Sequence, residues 1–230
     1  MSEFEFYMDV LKTLEEIGAR YMVVGAYGAS AYGLNRSTHD ADIIVDLDSA
    51  SCDALAAHFP PPRYYADPHQ MRDSIRLGIM FNIIDSSQGV KADLVPLSRE
   101  PEYLAAFNNR VRCTVVDPQG NEFEIWCARP EDIIVGKLMA WQEGRSAKHP
   151  SDIYVVLNFM LGGLSEAGFD VDYVTRRAAQ IGQDALKLWR RLVTRVQEEN
   201  AGITPGSDDF LHHTRSDRSP KIGPIYAIKS

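Results

Sequence analysis

This sequence of 230 residues lacks several features that would indicate a secreted, metal-stapled or membrane protein. It has only three cysteines, Cys52, Cys113 and Cys127, which are widely spaced and form no C-x-x-C pair. Such a set argues against a disulfide framework or a zinc knuckle and predicts a reducing, cytoplasmic setting. No apolar run approaches the ~20 residues that a membrane helix needs, and the acidic start M-S-E-F-E-F lacks the basic region of a secretory signal. We therefore expect no membrane partner.

Positive charge is also scarce, because 24 Lys and Arg stand against 32 Asp and Glu, for a net charge of -8. An acidic surface disfavours non-specific binding to nucleic acid, although a local basic patch is compatible with it. Hydrophobic residues make up 45% and charged residues 24%, which are ordinary globular values that exclude wholesale disorder and fibrous architecture. The chain is long enough for one large domain or two small ones.

Hydrophobic periodicity predicts strands in the middle of the N-terminal half and helices in the C-terminal half. The predicted helices cover residues 2–18, 27–32, 53–58, 130–144, 151–161, 170–181 and 184–200. The predicted strands cover residues 21–25, 42–47, 75–84, 91–96, 111–116 and 122–126. This order is typical of an α+β fold. We predict a mixed β-sheet domain flanked by helices over 1–128, a helical C-terminal domain over 129–200, and an irregular tail or partner-dependent arm over 201–230.

One stretch of the sequence contains the candidate site residues. It joins a predicted buried strand, a glycine turn and a second predicted strand, and reads V-V-G-A-Y-G-A-S-A-Y-G-L-N-R-S-T-H-D-A-D-I-I-V-D. Asp40 and Asp42 are two residues apart, so on a strand both carboxylates point to one face. Two crowded carboxylates repel each other, and a divalent cation commonly resolves that repulsion. The turn at Gly25 and Ala26 lets backbone N–H groups face an anion. A phosphate cradle beside paired carboxylates favours phosphoryl or nucleotidyl transfer.

Asp93 is a third carboxylate available to this site. It lies in the short apolar strand K-A-D-L-V-P between Ala92 and Leu94. A buried carboxylate is costly unless it is paired or bound to a metal, so an aspartate here is unusual for packing alone. We expect Asp93 to lie on a strand beside Asp42 and to complete a two-metal site with Asp40.

Other interpretations of these residues stay open. The D-x-D pair can be a solvated loop leading into a strand. The glycine turn lacks the G-x-G-x-x-G of a dinucleotide site, and Ser30 lacks the G-x-S-x-G context of a nucleophile, which favours a packing role or a hydroxyl beside a phosphate. Lys137 can extend from an amphipathic helix to solvent, and Lys148 can pair with Asp152 four residues on. Several basic residues near the C-terminus have two possible interpretations, a solvated face or a docking surface for RNA or an acidic partner. They are Arg176, Arg177, Lys187, Arg190, Arg191 and Arg195.

These motifs resemble the active-site signature of the DNA polymerase β-like nucleotidyltransferase superfamily. Within it, the sequence is most similar to the minimal and AbiEii-type, toxin-like nucleotidyltransferases. The first shared motif is matched by Gly25, Ala29, Gly33, Arg36, Thr38, Asp40 and Asp42. A weaker second element runs from Pro130 to Ala140 and continues through Arg145, Lys148, His149 and Asp152. The resemblance covers roughly residues 20–160. Ala26 stands where the family has Gly or Ser, and His149 stands where it often has Asp.

The resemblance implies a nucleotidyltransferase-like fold and Mg²⁺-dependent transfer of NMP from an NTP, with two Mg²⁺ or Mn²⁺ ions. It implies that Asp40, Asp42 and Asp93 are the catalytic and metal-binding residues, and that Asp93 helps to take the proton of the attacking hydroxyl. The implied nucleotide-binding residues are Gly25, Ala26, Ser30, Arg36, Thr38, Lys137, Lys148 and Asp152.

The resemblance leaves the acceptor hydroxyl open among RNA, a protein and a small molecule. Its implied biological setting is the toxin of a toxin–antitoxin pair, with an antitoxin as partner. A second hypothesis is a catalytically silent member that binds nucleotide or a partner protein. Its main support is Ala26, whose methyl group could crowd a phosphate.

Overall fold

A computed structural model describes residues 3–34, 40–99, 103–116, 121–163 and 168–201. The predicted site residues Arg36 and Thr38, the side chain of Asp40 and the predicted tail beyond residue 201 lie outside the described residues. The described chain forms two compact units, residues 3–31 with 40–129, and residues 32–34 with 130–201. The first contains a mixed sheet with helices and the second is helical, so the predicted α+β class is confirmed. Every helix in the described ranges is too short or too polar to cross a lipid bilayer.

A mixed sheet organises the first unit. Its strands in chain order are β1 Arg20–Val23, β2 Asp40–Asp46, β3 Tyr64–Tyr65, β4 Phe81–Asp85, β5 Val90–Pro96, β6 Val111–Val116 and β7 Glu122–Cys127. Across the sheet the order is β3-β4-β5-β2-β1-β7-β6. The central strand β2 runs antiparallel to β1 and parallel to β5. The strands predicted over 111–116 and 122–126 are confirmed, and they form the antiparallel pair of β6 and β7.

Helices surround the sheet of the first unit and make up the second unit. In the first unit they are α1 Glu3–Glu16, α2 Gly25–Ser30, α3 Ser49–His58, α4 Pro68–Leu77 and α5 Leu104–Asn108, with a short 3-10 helix at Leu97–Arg99. In the second unit they are α6 Pro130–Gly144, α7 Lys148–Leu161, α8 Val171–Ile181 and α9 Gln183–Ala201. The predicted C-terminal helices are confirmed, with ends that shift by a few residues.

The predicted strand over 75–84 is wrong in its first half, where the chain forms the end of α4. Asp67 caps this helix by accepting from the His69 N–H at 2.8 Å, and Pro68 occupies the first turn. Gly78 ends it in the left-handed conformation at φ +61°. These capping residues favour a helix more strongly than the apolar residues at its end favour a strand. The strand therefore begins only at Phe81.

The central strands are buried because their sequences are almost continuously apolar. In β2, Ala41, Ile43, Ile44 and Val45 are between 0% and 2% exposed. A strand that is covered on both faces needs such a run rather than an alternating pattern. Asp42 interrupts this run as a half-buried carboxylate.

Asp85 fixes the turn between β4 and β5. The Arg63 guanidinium donates to its Oδ2 from Nε at 3.1 Å and Nη2 at 2.8 Å, and the Ser87 N–H donates to Oδ1 at 2.9 Å. The Arg63 guanidinium, with help from Ser87, holds the pKa of the Asp85 carboxyl at about 2. The turn therefore sets the register of β4 on β5, in which Asn82 pairs with Asp93.

Candidate active site

Asp42 and Asp93 are neighbours on the two central strands. In the parallel pair of β2 and β5, Asp42 is the register partner of Asp93, and Asp40 is the register partner of Lys91. Register partners on adjacent strands have their side chains on the same face of a sheet. Asp93 thus has the strand position that its sequence predicts, and its role as a metal ligand stays a prediction.

The glycine turn packs directly against Asp42. Gly25 begins α2 with φ +66°, and the Val24 N–H donates to the Asp42 carbonyl at 3.0 Å. A Cβ at Gly25 would overlap the Oδ2 atom of Asp42, so the close approach and the positive φ both require glycine. The Gly28 N–H makes the first helical bond, to the Val24 carbonyl at 2.9 Å, which leaves the earlier N–H groups of α2 without an intrahelical acceptor.

Ala26 and Ser30 offer different groups to a bound phosphate. Arg145 is the one non-glycine residue with a positive φ in the described ranges, so Ala26 has an ordinary backbone conformation and presents its N–H in the first turn. The Ser30 hydroxyl donates to the Tyr27 carbonyl at 2.6 Å, within the same helix. The backbone of Ala26 therefore suits the predicted contact, whereas Ser30 would have to give up an existing hydrogen bond.

Lys91 and Asn82 bind Asp93, and sequence reasoning missed both. The Lys91 Nζ lies 2.9 Å from each carboxylate oxygen of Asp93, and the Asn82 Nδ2 donates to Oδ1. These contacts satisfy a carboxylate whose residue is 6% exposed. The spacing of Lys91 and Asp93 by two on one strand is a signal that could have found the lysine. Asn82 has no such local signal, since only the pairing of β4 with β5 brings it to Asp93.

The residues present fit a divalent cation. Carboxylate oxygens are the ligands that Mg²⁺ prefers, and Asp42 and Asp93 supply them side by side. A carboxylate has about four acceptor positions. Asn82 and Lys91 occupy three on Asp93, so one on Oδ2 is left. No group of three or more His, Cys, Asp or Glu side chains could hold a metal within the described residues, a set that leaves out the side chain of Asp40.

Lys137 and Asp152 form a buried ion pair in the second unit. The Lys137 Nζ lies 2.7 Å from Asp152 Oδ2, and the two residues are 6% and 2% exposed. Lys137 therefore does not extend to solvent, and that alternative is wrong. Asp152 binds a lysine 15 residues earlier in the chain, while Lys148 is exposed. Packing of α6 on α7 thus provides Asp152 with a partner that helical spacing does not reveal.

Replacing Lys137 by methionine is expected to destabilise the protein by about 2–3 kcal/mol. The substitution keeps the length of the side chain but leaves the Asp152 carboxylate buried without its ammonium partner. The loss falls below that of a fully uncompensated charge because Asp152 makes at least one further interaction. Urea unfolding of the full chain measures the change. The double variant Lys137→Met/Asp152→Asn should recover part of the stability, and a single variant within about 0.5 kcal/mol of wild type would contradict the argument.

The basic residues of α8 and α9 lie mostly on the surface. Five of them are exposed and Arg177 is half-buried. Arg195 also donates to Glu199 at 2.8 Å and lies over the Tyr154 ring. Both sequence interpretations, a solvated face and a docking surface, are compatible with this exposure.

The fold is similar to that of solved nucleotidyltransferase-like proteins. An antigenic nucleotidyltransferase-like protein from Paracoccidioides brasiliensis is 16% identical, with a TM-score of 0.50 over 86% of this chain and 91% of that chain. A candidate nucleotidyltransferase from H. pylori is 14% identical, with a TM-score of 0.45 over 87% of this chain and 94% of that chain. The antibiotic-resistance factor ANT(2'')-Ia is 11% identical, with a TM-score of 0.39 over 86% of this chain and 92% of that chain.

No protein-family model matches the chain, and no curated protein matches it by sequence. At 16% identity, the similarity to the Paracoccidioides protein shows the fold and does not by itself identify a reaction. The predicted nucleotidyltransferase-like fold is therefore confirmed.

Proposed function

We propose that this chain is a metal-dependent nucleotidyltransferase that transfers NMP from an NTP to an acceptor hydroxyl. One observation carries the proposal, the register of β2 and β5 that sets the half-buried Asp42 beside Asp93, with the Gly25 turn against the Asp42 carboxylate. Adjacent carboxylates and backbone N–H donors are the two components that an enzyme acting on a triphosphate needs.

Each residue has a proposed role in this reaction. Asp42 and Asp93, together with Asp40, would hold Mg²⁺ or Mn²⁺, which when bound neutralises phosphate charge and activates the attacking hydroxyl. The N–H groups of Gly25 and Ala26 would bind phosphate oxygens and orient the triphosphate. Asp93 would accept the proton of the acceptor hydroxyl. The acceptor oxygen then bonds to the α-phosphorus, and pyrophosphate leaves in line with it.

The proposed contacts to the rest of the triphosphate come from Arg36, Thr38 and Lys148. Lys137 and Asp152, the other two predicted nucleotide-binding residues of the helical unit, form a buried pair. Lys148 is exposed, so its ammonium is available to an anionic ligand. Lys137 is held by Asp152, which supports a positioning role more than direct contact. Ser30 would need to release the Tyr27 carbonyl before it could donate to a phosphate.

The acceptor and the biological setting are part of the proposal. RNA, a protein or a small molecule would supply the hydroxyl, and a toxin with an antitoxin partner is the setting that the family resemblance implies. All three cysteines lie in the described residues, are buried and form no disulfide. This supports a reducing compartment such as the cytoplasm.

Transfer of label from each of the four α-labelled NTPs tests the proposal. The full chain is incubated with Mg²⁺ or Mn²⁺ and with total RNA, lysate protein and aminoglycosides in separate reactions. We expect label in one acceptor fraction, with one preferred NTP, and none in EDTA. Metal-dependent NTP binding without label in any fraction would contradict the proposed transfer.

A catalytically silent binding module is the second candidate, and the Lys91–Asp93 ion pair favours it. An ammonium bridging both oxygens of Asp93 supplies positive charge without any metal. The Ala26 substitution gives less support than the sequence suggests, because the backbone conformation of Ala26 is ordinary. Metal-independent NTP binding with no label transfer would favour this candidate.

A further inference from the structure

The Lys91–Asp93 ion pair is the source of positive charge at the buried third carboxylate. The Lys91 Nζ lies 2.9 Å from both Oδ1 and Oδ2 of Asp93, so the ammonium bridges the two oxygens. The Asp93 side chain is 9% exposed, whereas the Lys91 side chain is 44% exposed. A buried carboxylate needs a partner of this kind because its desolvation is otherwise costly.

The geometry leaves little space for a second cation on Asp93. Asn82 and Lys91 together occupy about three of the four acceptor positions of the carboxylate, and the position that is left belongs to Oδ2. A divalent ion on that position would lie within a few ångströms of the ammonium. Positive charges at such a separation repel each other strongly at the effective dielectric constant of a protein.

The Lys91 side chain is exposed enough to move away from Asp93. Its stem is nearly half exposed, so the ammonium can swing into solvent without opening the core. A lysine that leaves Asp93 therefore has bulk water to receive its charge.

We infer that Lys91 is an internal counter-cation that competes with the divalent metal for Asp93. It neutralises Asp93 while no metal is bound, and it leaves Oδ2 when a metal binds there. Lys91 is thus a positioning residue that sets the metal concentration at which the site fills. The inference rests on the proposed function, since it assumes that Asp93 is a metal ligand.

Titration of the full chain with Mn²⁺, with free Mn²⁺ followed by electron paramagnetic resonance, tests this inference. Lys91→Met keeps the apolar stem and removes the charge, and we expect its Kd for Mn²⁺ to fall by about tenfold relative to wild type. In EDTA the same variant should melt below wild type, and saturating Mn²⁺ should raise its Tm more than that of wild type. A purely structural lysine would lower Tm equally with and without metal.

Three further variants control the experiment. Lys91→Arg keeps the charge and should retain a wild-type Kd for Mn²⁺. Lys91→Gln keeps a hydrogen-bond donor without charge, so it should bind Mn²⁺ tightly even if the methionine variant folds poorly. Lys187→Met removes one exposed charge from α9 and should leave the Kd unchanged.

The outcomes separate this inference from the proposed function. Equal Mn²⁺ affinity in wild type, Lys91→Met and Lys91→Gln would overturn the competition, even if wild type transfers NMP. An absence of Mn²⁺ binding in all of them would overturn it as well. Tighter binding in both neutral variants without label transfer by any of them would support the competition and reject the transferase.

Discussion

Asp42→Asn should abolish nucleotidyl transfer and leave the fold intact. The amide has nearly the shape of the carboxylate but lacks the charge that a divalent ion requires, so we expect the initial rate to fall at least about a hundredfold at saturating Mg²⁺. Asp42 lies beside Asp93 in the sheet, and Lys91 already bridges both oxygens of Asp93, so removing the Asp42 charge relieves at most a small residual repulsion in the metal-free protein. Melting in EDTA should therefore show an equal or slightly higher Tm.

Asp46→Asn provides a matched control on the same strand. Asp46 ends β2, its side chain is 46% exposed, and it accepts from Arg20 Nη1 at 2.9 Å. The same charge is removed outside the proposed site, so transfer should stay close to wild type. Label transfer by Asp42→Asn at a wild-type rate, with saturating Mg²⁺, would mean that the active site lies elsewhere in the chain.

The strands that carry these carboxylates could be predicted because their local sequences agree with their final environment. The run around Ile43 and the run around Leu94 are apolar, short and bounded by polar residues, as central strands are. Parity on a strand then restricts the face on which Asp42 lies. The pairing of β2 with β5 is a property of the whole sheet, and the cost of burying Asp93 without a partner, not periodicity, suggested it.

The segment before β4 shows why an apolar pattern alone can mislead. Leu77, Ile79 and Met80 resemble the start of a strand, but they are 63%, 51% and 38% exposed at the end of α4 and in the turn after it. Because these side chains remain exposed, burial does not determine the local structure. The capping residues Asp67 and Gly78 determine it instead. Asn82 was missed for a different reason, because only the pairing of β4 with β5 brings it to Asp93.

The partner of Asp152 illustrates a different limit. Helical spacing suggests Lys148, four residues earlier, and this would be a local surface pair. The structure pairs Asp152 with Lys137, a residue on another helix, in a buried position. Tertiary packing selects that partner, since a buried carboxylate gains more from a buried ammonium than from an exposed one. No window of the sequence contains this preference.

Gly25→Ala should damage both the fold and the reaction. Gly25 has φ +66°, which costs an L-residue roughly 1–2 kcal/mol, and the added methyl group would overlap Oδ2 of Asp42. Either Asp42 or the turn must shift, and a displacement of about 1 Å at a reacting centre can cost a hundredfold in rate. We expect a Tm lower by roughly 5 °C and a transfer rate lower by about a hundredfold or more.

Ala26→Gly is the matched substitution at the next residue, and it should behave in the opposite way. Ala26 already has an ordinary φ, and the proposed donor is its backbone N–H, which glycine also has. The affinity for NTP in the presence of Mg²⁺ should stay within a few fold of wild type. A large gain in NTP affinity would instead mean that the Ala26 methyl group closes the site in the native chain, and the silent binding module would then be favoured over the enzyme.

A Gly25→Ala variant with wild-type Tm and transfer rate would show that the turn is not held against Asp42, and the proposed phosphate contact would lose its structural basis.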